Sequence, residues 1–375
     1  MSHKAVQQFI KVTHEAYTRE IGDEMGGIVP GIFTDEPNYG NVMSRAKIGD
    51  LEGWSTPWTG SLPKTFKERY GYDVMRRLPE IFLDPDGEAV SQVRWHYMDC
   101  ITFLFTDAFA RQIGEWCDEN KMLHTGHVLC EETLASQTRV VGSAMRFYEF
   151  MQAQGIDILT EHSYEYSTAK QCSSVQHQMG RRWVLSETYG CTGWDFCFEG
   201  HKAIGDWQAA LGINLRCQHL SWYTMAGQAK RDYPASIHYQ SPWWTLYPRV
   251  EDYFARVGVL TSRGEAVRPL LVVHPIESFW AQAGAGWGDS EEAARLDRQY
   301  HELRQWLLEE HVDFDYGDED MMDRLASVKK GKSPALKLRK AAYGAVLVPP
   351  LVTIRSRTLK LLKRFAAAGG TVIFC

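Results

Sequence analysis

Three carboxylates stand at the ends of short runs of β-branched and aromatic residues. Asp35 and Glu36 follow GIVPGIFT, and Glu187 follows RWVLS. Loop residues come directly after each of them, which is typical of a side chain at the carboxyl end of a buried parallel strand. In a (β/α) barrel the catalytic residues lie at that edge. Because two carboxylates that face one sugar ring can cleave a glycosidic bond, this pattern predicts glycoside hydrolysis.

The elements that must hold these side chains alternate between strand and helix. We predict strands at 28–34, 122–129, 155–161, 182–187 and 213–222, and helices at 4–20, 63–82, 91–119, 138–152, 165–179, 200–211 and 246–262. A polar loop is predicted from 37 to 61. Such alternation predicts a parallel sheet covered by helices. Each strand ends in a carboxylate, a histidine or an aromatic residue, which favours the rim of a (β/α)8 TIM-type barrel over an open sheet with one switch point.

The pattern changes after about residue 265. Strands are predicted at 268–275, 311–315, 343–348 and 371–375, and helices at 289–310 and 355–369. This series predicts a flavodoxin-like α/β domain over residues 265–375, after a catalytic barrel portion over residues 1–264. A complete barrel has eight βα units and only five are visible, so we expect the barrel to be incomplete at its N-terminal side. The last strand stops at Cys375, so we also expect the second domain to be truncated.

Composition excludes several classes of partner. The net charge of -6 argues against a broad nucleic-acid surface, and no apolar run of about 18 residues is present to cross a membrane. The eight cysteines form no CxxC pair and read as reduced thiols. Together with the absence of an apolar leader, this predicts a cytoplasmic protein.

The order of several motifs resembles a known family. GIFTDEP, WSTPWTGSLPKTFKERYGYDVMRRLPEIF, LHTGHVLCEE, QGIDIL, LSETYG, GDWQAALGINLRCQH and RDYPASIHYQSPWW follow one another. The series is similar to the α-L-rhamnosidases of glycoside hydrolase family 106 and covers most of residues 10–375. The resemblance implies a catalytic barrel followed by a flavodoxin-like domain. Rhamnosidases more often have an Asp-Ser-aromatic-Glu pattern where this chain has DEP, and this departure leaves the sugar open.

The resemblance also implies roles for two residues. Glu36 matches the general acid, and Glu187 matches the partner carboxylate that acts as base or nucleophile. A second likeness selects the same pair: if Glu36 ends strand four, Glu187 ends strand seven, as in the large clan of retaining β-glycosidases. The separation of the carboxyl groups would decide between them, at about 5–5.5 Å for retention and about 6.5–9.5 Å for inversion.

Further residues at strand ends and in the adjacent loops are candidates for binding sugar hydroxyls or stacking on a sugar ring. His124 and His127 lie three apart, so on a regular strand only one of them faces the barrel interior. The cluster rich in carboxylate oxygens would suit Ca²⁺, although no ligand set can be assigned. The predicted substrate-binding residues are Asp35, Trp58, His127, Glu131, Glu161, His162, Tyr189, His219 and Trp222.

Other functions are less well supported by the residues. The chain could be an inactive barrel fragment that only binds carbohydrate. A metal-dependent hydrolase built on His124 and His127 lacks both the helical HExxH spacing and a clear third ligand. A nucleotide enzyme is disfavoured because no GxGxxG follows the first strand of the second domain.

Overall fold

The computed structural model describes residues 1–84, 90–219, 222–228, 233 and 237–375. The end of the predicted strand 213–222 and part of the motif RDYPASIHYQSPWW fall outside the described residues. Within the described part of the chain, no helix is long and apolar enough to span a membrane.

Five parallel strands carry the first part of the chain. β1 (Gly31–Thr34) pairs with β4 (Leu123–Gly126), and β5 (Ala153–Asp157), β6 (Trp183–Thr188) and β7 (Leu215–Gln218) form a second parallel group in that order. β5 lies beside β4. A hydrogen bond of 3.2 Å joins them, from the Gln152 amide just before β5 to the His124 carbonyl. The strands thus follow one another in space as they do in sequence. Among the described residues they form a two-stranded and a three-stranded sheet, so closure of a full barrel stays a prediction.

Helices cover these strands and alternate with them. The π-helix Thr106–Arg111 joins α5 to α6, which makes one long helical segment before β4. Short 3-10 turns occur at Gly22–Glu24, Val74–Arg77, Trp244–Leu246 and Trp287–Asp289. The helices are α1 (His3–Val12), α2 (His14–Ile21), α3 (Leu62–Tyr70), α4 (Pro79–Phe82), α5 (Gln92–Phe105), α6 (Gln112–Glu119), α7 (Leu134–Val140), α8 (Ala144–Tyr148), α9 (Tyr166–Met179), α10 (Phe198–Ala210) and α11 (Pro248–Thr261).

The last part of the chain forms a four-stranded parallel sheet in the order β14-β13-β8-β9. A three-stranded antiparallel sheet, β10-β11-β12, is inserted before β13. The elements are β8 (Leu270–Val273), α12 (Ile276–Trp280), α13 (Glu291–Glu309), β9 (Phe314–Gly317), α14 (Glu319–Leu325), β10 (Ala326–Lys329), β11 (Ala335–Leu338), β12 (Ala341–Tyr343), β13 (Ala345–Val348), α15 (Ser356–Ala367) and β14 (Thr371–Phe374).

The α/β class is confirmed, and several local predictions are wrong. The predicted loop 37–61 contains an antiparallel hairpin of β2 (Ser44–Ile48) and β3 (Leu51–Ser55). The predicted helix 138–152 is replaced by α7 and α8, because Gly142 between them has φ +76° and packs against Thr102. The elements α12, α14 and β10–β12 were not predicted. Their segments are short, so they show little hydrophobic periodicity.

One buried apolar cluster extends across both predicted domains. Tyr97, Ile101 and Phe147 from the first part belong to the same cluster as Phe279 and Trp280 from the second. The predicted boundary at residues 264 and 265 is therefore bridged by shared packing, although the division itself stays a prediction.

Candidate active site

Polar side chains from neighbouring strand ends converge on Glu187. Glu187 is the fifth residue of β6 and its side chain is 14% exposed. His127 follows β4 directly, and its Nε2 donates a hydrogen bond of 2.7 Å to Glu187 Oε2. His219 follows β7, with its Nε2 3.6 Å from Glu187 Oε1. Asp35 follows β1, and its Oδ1 lies 3.6 Å from His127 Nε2. These two longer separations are close charge contacts rather than hydrogen bonds.

His127 faces this group and His124 does not. This agrees with their spacing of three residues, which on a regular strand lets only one of the two face the same side. The His127 side chain is fully buried. Burial alone would lower its pKa, but the hydrogen bond to Glu187 and the charges of Glu131, Asp157 and Glu187 outweigh that effect and raise the pKa to about 9. His127 is therefore cationic at neutral pH. His124 lies inside the protein beside Thr34, and burial lowers its pKa to about 3, so it stays neutral.

Asp157 is a member of this group that the sequence reasoning missed. It is the last residue of β5 and is the register partner of Glu187 on β6. Burial, followed by the charges of Glu187, Glu36 and Asp35, raises its pKa to about 6 against the opposing charge of His127. Asp157 is the acidic residue of the motif GID, which is the feature that could have identified it. The strand was predicted to end at Glu161, four residues after the observed end of β5 at Asp157.

Glu36 lies at the exposed end of β1. Its φ of 48° places it in the left-handed region, a strained conformation for a residue with a side chain. Its charge reaches the group, because it contributes to the raised pKa values of Asp157 and Cys130. Cys130 and Tyr189, which follow β4 and β6, also have positive φ. Backbone strain of this kind is typical of functional sites.

Glu131 and Glu165 are two further carboxyl groups near this site, since the charge of Glu165 acts on Glu131 and that of Glu131 acts on His127. Glu131 is buried and accepts hydrogen bonds from the Tyr148 hydroxyl and the Val128 amide. Burial raises its pKa to about 8, and burial together with the charge of Glu132 raises that of Glu165 to about 7. The structure therefore places Glu131 in the interior, with an electrostatic effect on His127, rather than on an open sugar-binding surface.

The remaining predicted residues do not join the group around Glu187. Tyr189 is fully buried, where its hydroxyl accepts a hydrogen bond from Arg216 and donates one to the His201 carbonyl. Trp222 is buried with its ring edge against Trp194. Glu161 and His162 lie beside each other, with 3.6 Å between Glu161 Oε1 and His162 Nε2. Trp58 is 41% exposed in the loop before α3, and no contact with the group is seen among the described residues.

One set of residues is close enough to consider for a metal ion. Donor atoms of Asp35, His127 and Glu187 all lie within 4.8 Å of one another. The set fits Ca²⁺ poorly, because this ion takes six to eight oxygen ligands and only two of these three residues offer carboxylate oxygens. The described geometry is therefore that of a hydrogen-bonded charge cluster.

Comparisons with known proteins identify the family and the fold of the chain. The sequence model of glycoside hydrolase family 106, described as alpha-L-rhamnosidase, matches residues 1–374. A rhamnosidase structure from Novosphingobium sp. PP1Y superposes with a TM-score of 0.73 at 17% identity, over 99% of this chain and 33% of that one. No curated protein sequence matches the chain.

Two further solved structures share the fold. A cold-adapted beta-galactosidase from Rahnella sp. R3 has a TM-score of 0.60 at 14% identity, over 99% of this chain and 54% of that one. An exo-carrageenase of family 42 from Bacteroides ovatus has a TM-score of 0.60 at 11% identity, over 94% of this chain and 49% of that one. The chain thus spans from a third to about half of the length of these enzymes.

Proposed function

Because the chain belongs to glycoside hydrolase family 106, we propose that it hydrolyses the bond to a terminal sugar, as an α-L-rhamnosidase does. Glu36 is the general acid and Glu187 is the base or nucleophile. The substrate is an oligosaccharide or polysaccharide fragment. The observation that carries the proposal is the contact between Glu187 and the cationic His127 at the carboxyl end of β6.

The surroundings of Glu187 support the role of base or nucleophile. Its Oε2 accepts the hydrogen bond from His127, so the carboxylate is held as an acceptor with a fixed orientation. The second oxygen lies 3.6 Å from His219 Nε2, and the Glu187 side chain as a whole is 14% exposed, which leaves it accessible to a ligand. Such a carboxylate can activate water or attack an anomeric carbon directly.

Glu36 supports the role of general acid by its position. It lies two residues after β1, its side chain is exposed, and its charge acts on Asp157 beside Glu187. An acid at the open edge can reach the glycosidic oxygen of a substrate that enters from solvent. The strained backbone at Glu36 holds the side chain in a direction that regular strand geometry would not provide.

A second candidate function is a retaining β-glycosidase that uses the same two residues. It is favoured by the fold shared with the beta-galactosidase from Rahnella sp. R3. The two functions differ in the sugar that is cleaved, and the configuration of the first product shows whether Glu187 acts as nucleophile, with retention, or as base, with inversion. The anomer released early in the reaction, observed by proton NMR, separates retention from inversion.

The proposal is tested by hydrolysis of aryl glycosides, beginning with the α-L-rhamnoside and the β-galactoside. We expect Glu36→Gln and Glu187→Gln each to lower kcat by about 10²-fold or more, because removal of acid–base catalysis costs that much. Glu302→Gln, on the exposed face of α13, is the matched control and should retain wild-type activity. Full activity in either active-site variant would overturn its assigned role. Binding of sugars without any cleavage by the wild-type chain would instead support the carbohydrate-binding alternative.

A further inference from the structure

Three adjoining cavities form a groove along α14 and α15. The central cavity, of about 800 Å³, is bordered by the ends of α3 and α14 and by the first residues of α5 and α15. It shares Arg357 with a second cavity of about 540 Å³ along α15, and Arg69 with a third of about 320 Å³ beside the π-helix Thr106–Arg111. None of the described lining residues belongs to the group around Glu187, so the groove is separate from the candidate active site.

The lining of this groove is positive, whereas the chain as a whole carries a net charge of -6. Among the described residues, nine basic and five acidic side chains line the three cavities. Each of the five acids is paired with an arginine, so the excess of basic groups is not neutralised within the lining. A cleft lined by one sign of charge concentrates ligands of the opposite sign. The groove is therefore suited to an anionic ligand.

The unpaired positive charge lies on α15. Lys360, Lys363 and Arg364 are exposed and line the second cavity, and none of them forms an ion pair with a described residue. Arg357, one turn before Lys360, contacts Asp323 through Nη1 alone. Basic faces of surface helices are often merely solvated. This face borders a cavity that continues into the central one, so a ligand can contact it over several residues.

The central cavity adds aromatic surface to these charges. The half-buried rings of Tyr70, Trp95 and His96 line it. The Tyr70 and His96 rings are stacked, with 4.2 Å between their centroids. Aromatic side chains offer a large apolar surface, on which the CH-rich face of a sugar ring can pack. Rings beside basic groups suit a chain of sugars that carries acidic substituents.

We propose that this groove binds an acidic oligosaccharide chain. Its carboxylates pair with Arg357, Lys360 and Arg364, and its sugar rings pack on Tyr70 and Trp95. A guanidinium group matches a planar carboxylate with two parallel hydrogen bonds. The choice of a sugar chain over another polyanion rests on the proposed function, because an enzyme that acts on polysaccharide fragments meets such chains. Binding in the groove holds the protein on a polysaccharide independently of the residues that cleave it.

The test is isothermal titration calorimetry with polygalacturonate, a polysaccharide with one carboxylate on each sugar. The wild-type protein is compared with a variant that combines Arg357→Gln, Lys360→Gln and Arg364→Gln. We expect the variant to bind about 10-fold or more weakly, because three exposed charge contacts are lost. Binding by the wild-type protein should weaken as salt is added. It should also weaken with the methyl-esterified polysaccharide, which carries no charge.

A matched control removes the same number of charges elsewhere. It combines Arg249→Gln, Arg256→Gln and Arg263→Gln, at exposed positions on α11 and just after it. This control should bind polygalacturonate as the wild-type protein does. Equal losses in the two triple variants would show that only net charge matters, which would overturn the site.

Other outcomes also decide the inference. It fails if the wild-type protein does not bind polygalacturonate, or if the α15 variant binds it as tightly as the wild-type protein does. Single-stranded DNA that binds the wild-type protein as tightly would overturn the assignment of a sugar chain. The α15 variant should hydrolyse small aryl glycosides at the wild-type rate. If the wild-type chain cleaves no aryl glycoside, the proposed function fails, whereas the binding measurements still decide this inference.

Discussion

His127 carries a positive charge among carboxylates that come from the ends of three other strands. It is buried, hydrogen-bonded to Glu187 and influenced by Glu131 and Asp157. Through these contacts the imidazolium of His127 offsets part of the mutual repulsion among the neighbouring carboxylates. Burial and the neighbouring carboxylates raise the pKa of Asp157 in this group to about 6.

The raised pKa of His127 predicts how stability depends on pH. Since the folded state binds this proton more tightly than the unfolded chain, its stabilisation is complete below pH 6.5 and is lost as the pH rises through about 9. The full difference is on the order of 3 kcal/mol. In His127→Gln the fall in unfolding free energy between pH 6.5 and 9 should therefore be smaller than in the wild-type protein. Urea unfolding across this range measures it, and parallel pH curves for the two proteins would contradict the assignment.

Glycines allow the strands that hold the site to approach one another closely. At Gly126, the last residue of β4, a Cβ atom would lie 2.0 Å from the Thr34 carbonyl oxygen on β1, and φ is +115°. At Gly31 on β1 and Gly155 on β5, a Cβ atom would meet backbone oxygens at 2.5 and 2.4 Å. These contacts set the spacing between the strand ends that carry Asp35, His127 and Asp157.

Gly126→Ala should disturb both the fold and the site. The added methyl group collides with backbone and forces a strained φ, so we expect a loss of about 3 kcal/mol or more in unfolding free energy. Activity should fall as well, because His127 is the next residue. Gly60→Ala is the control, since no atom lies within 4 Å of its added Cβ and its φ is not positive. Equal stability of the two variants in urea would show that β1 and β4 are not packed this closely.

At the scale of the whole molecule, a buried ionic network connects the two parts of the chain. Arg146 on α8 donates hydrogen bonds to Asp99 on α5, and to Glu277 and Asp318 from the second part. Arg355 also contacts Asp99 and Glu277. Together with the shared apolar cluster, this network holds the second part of the chain against α5 and α8.

Arg146→Met is therefore predicted to destabilise both parts together. Removal of the guanidinium takes the salt bridge from buried Asp318 and one of the arginines from Asp99 and Glu277, and breaking buried pairs in this way costs about 3–5 kcal/mol. Circular dichroism and tryptophan fluorescence should report coincident unfolding curves in urea for the wild-type protein, and a shifted midpoint for the variant. Arg295→Met removes an exposed pair with Glu292 and should change stability by no more than about 0.5 kcal/mol. Two separate transitions in the wild-type protein would contradict this coupling.

The order of the parallel strands, the family and the chemical types at the strand ends could be predicted from the amino-acid sequence, whereas the antiparallel strands β2, β3 and β10–β12 could not. Periodicity and residue type are local properties, so Asp35 and Glu187 mark the ends of β1 and β6 in the sequence itself. His127 was expected inside a strand over 122–129, and the structure places it just after β4. The matching family model confirms the resemblance drawn from the motifs. The assignment of Glu36 and Glu187 as the catalytic pair stays a prediction.

Only the tertiary structure decided which of these side chains meet. His127 and Glu187 are 60 residues apart, and their contact depends on strand register and on the close packing of β1, β4 and β5. The same register places Asp157 beside Glu187, while packing buries Tyr189 and Trp222 away from them. A one-dimensional pattern assigns a residue to a strand end. It cannot say which way the side chain points or what lies across from it, because those depend on contacts between distant segments.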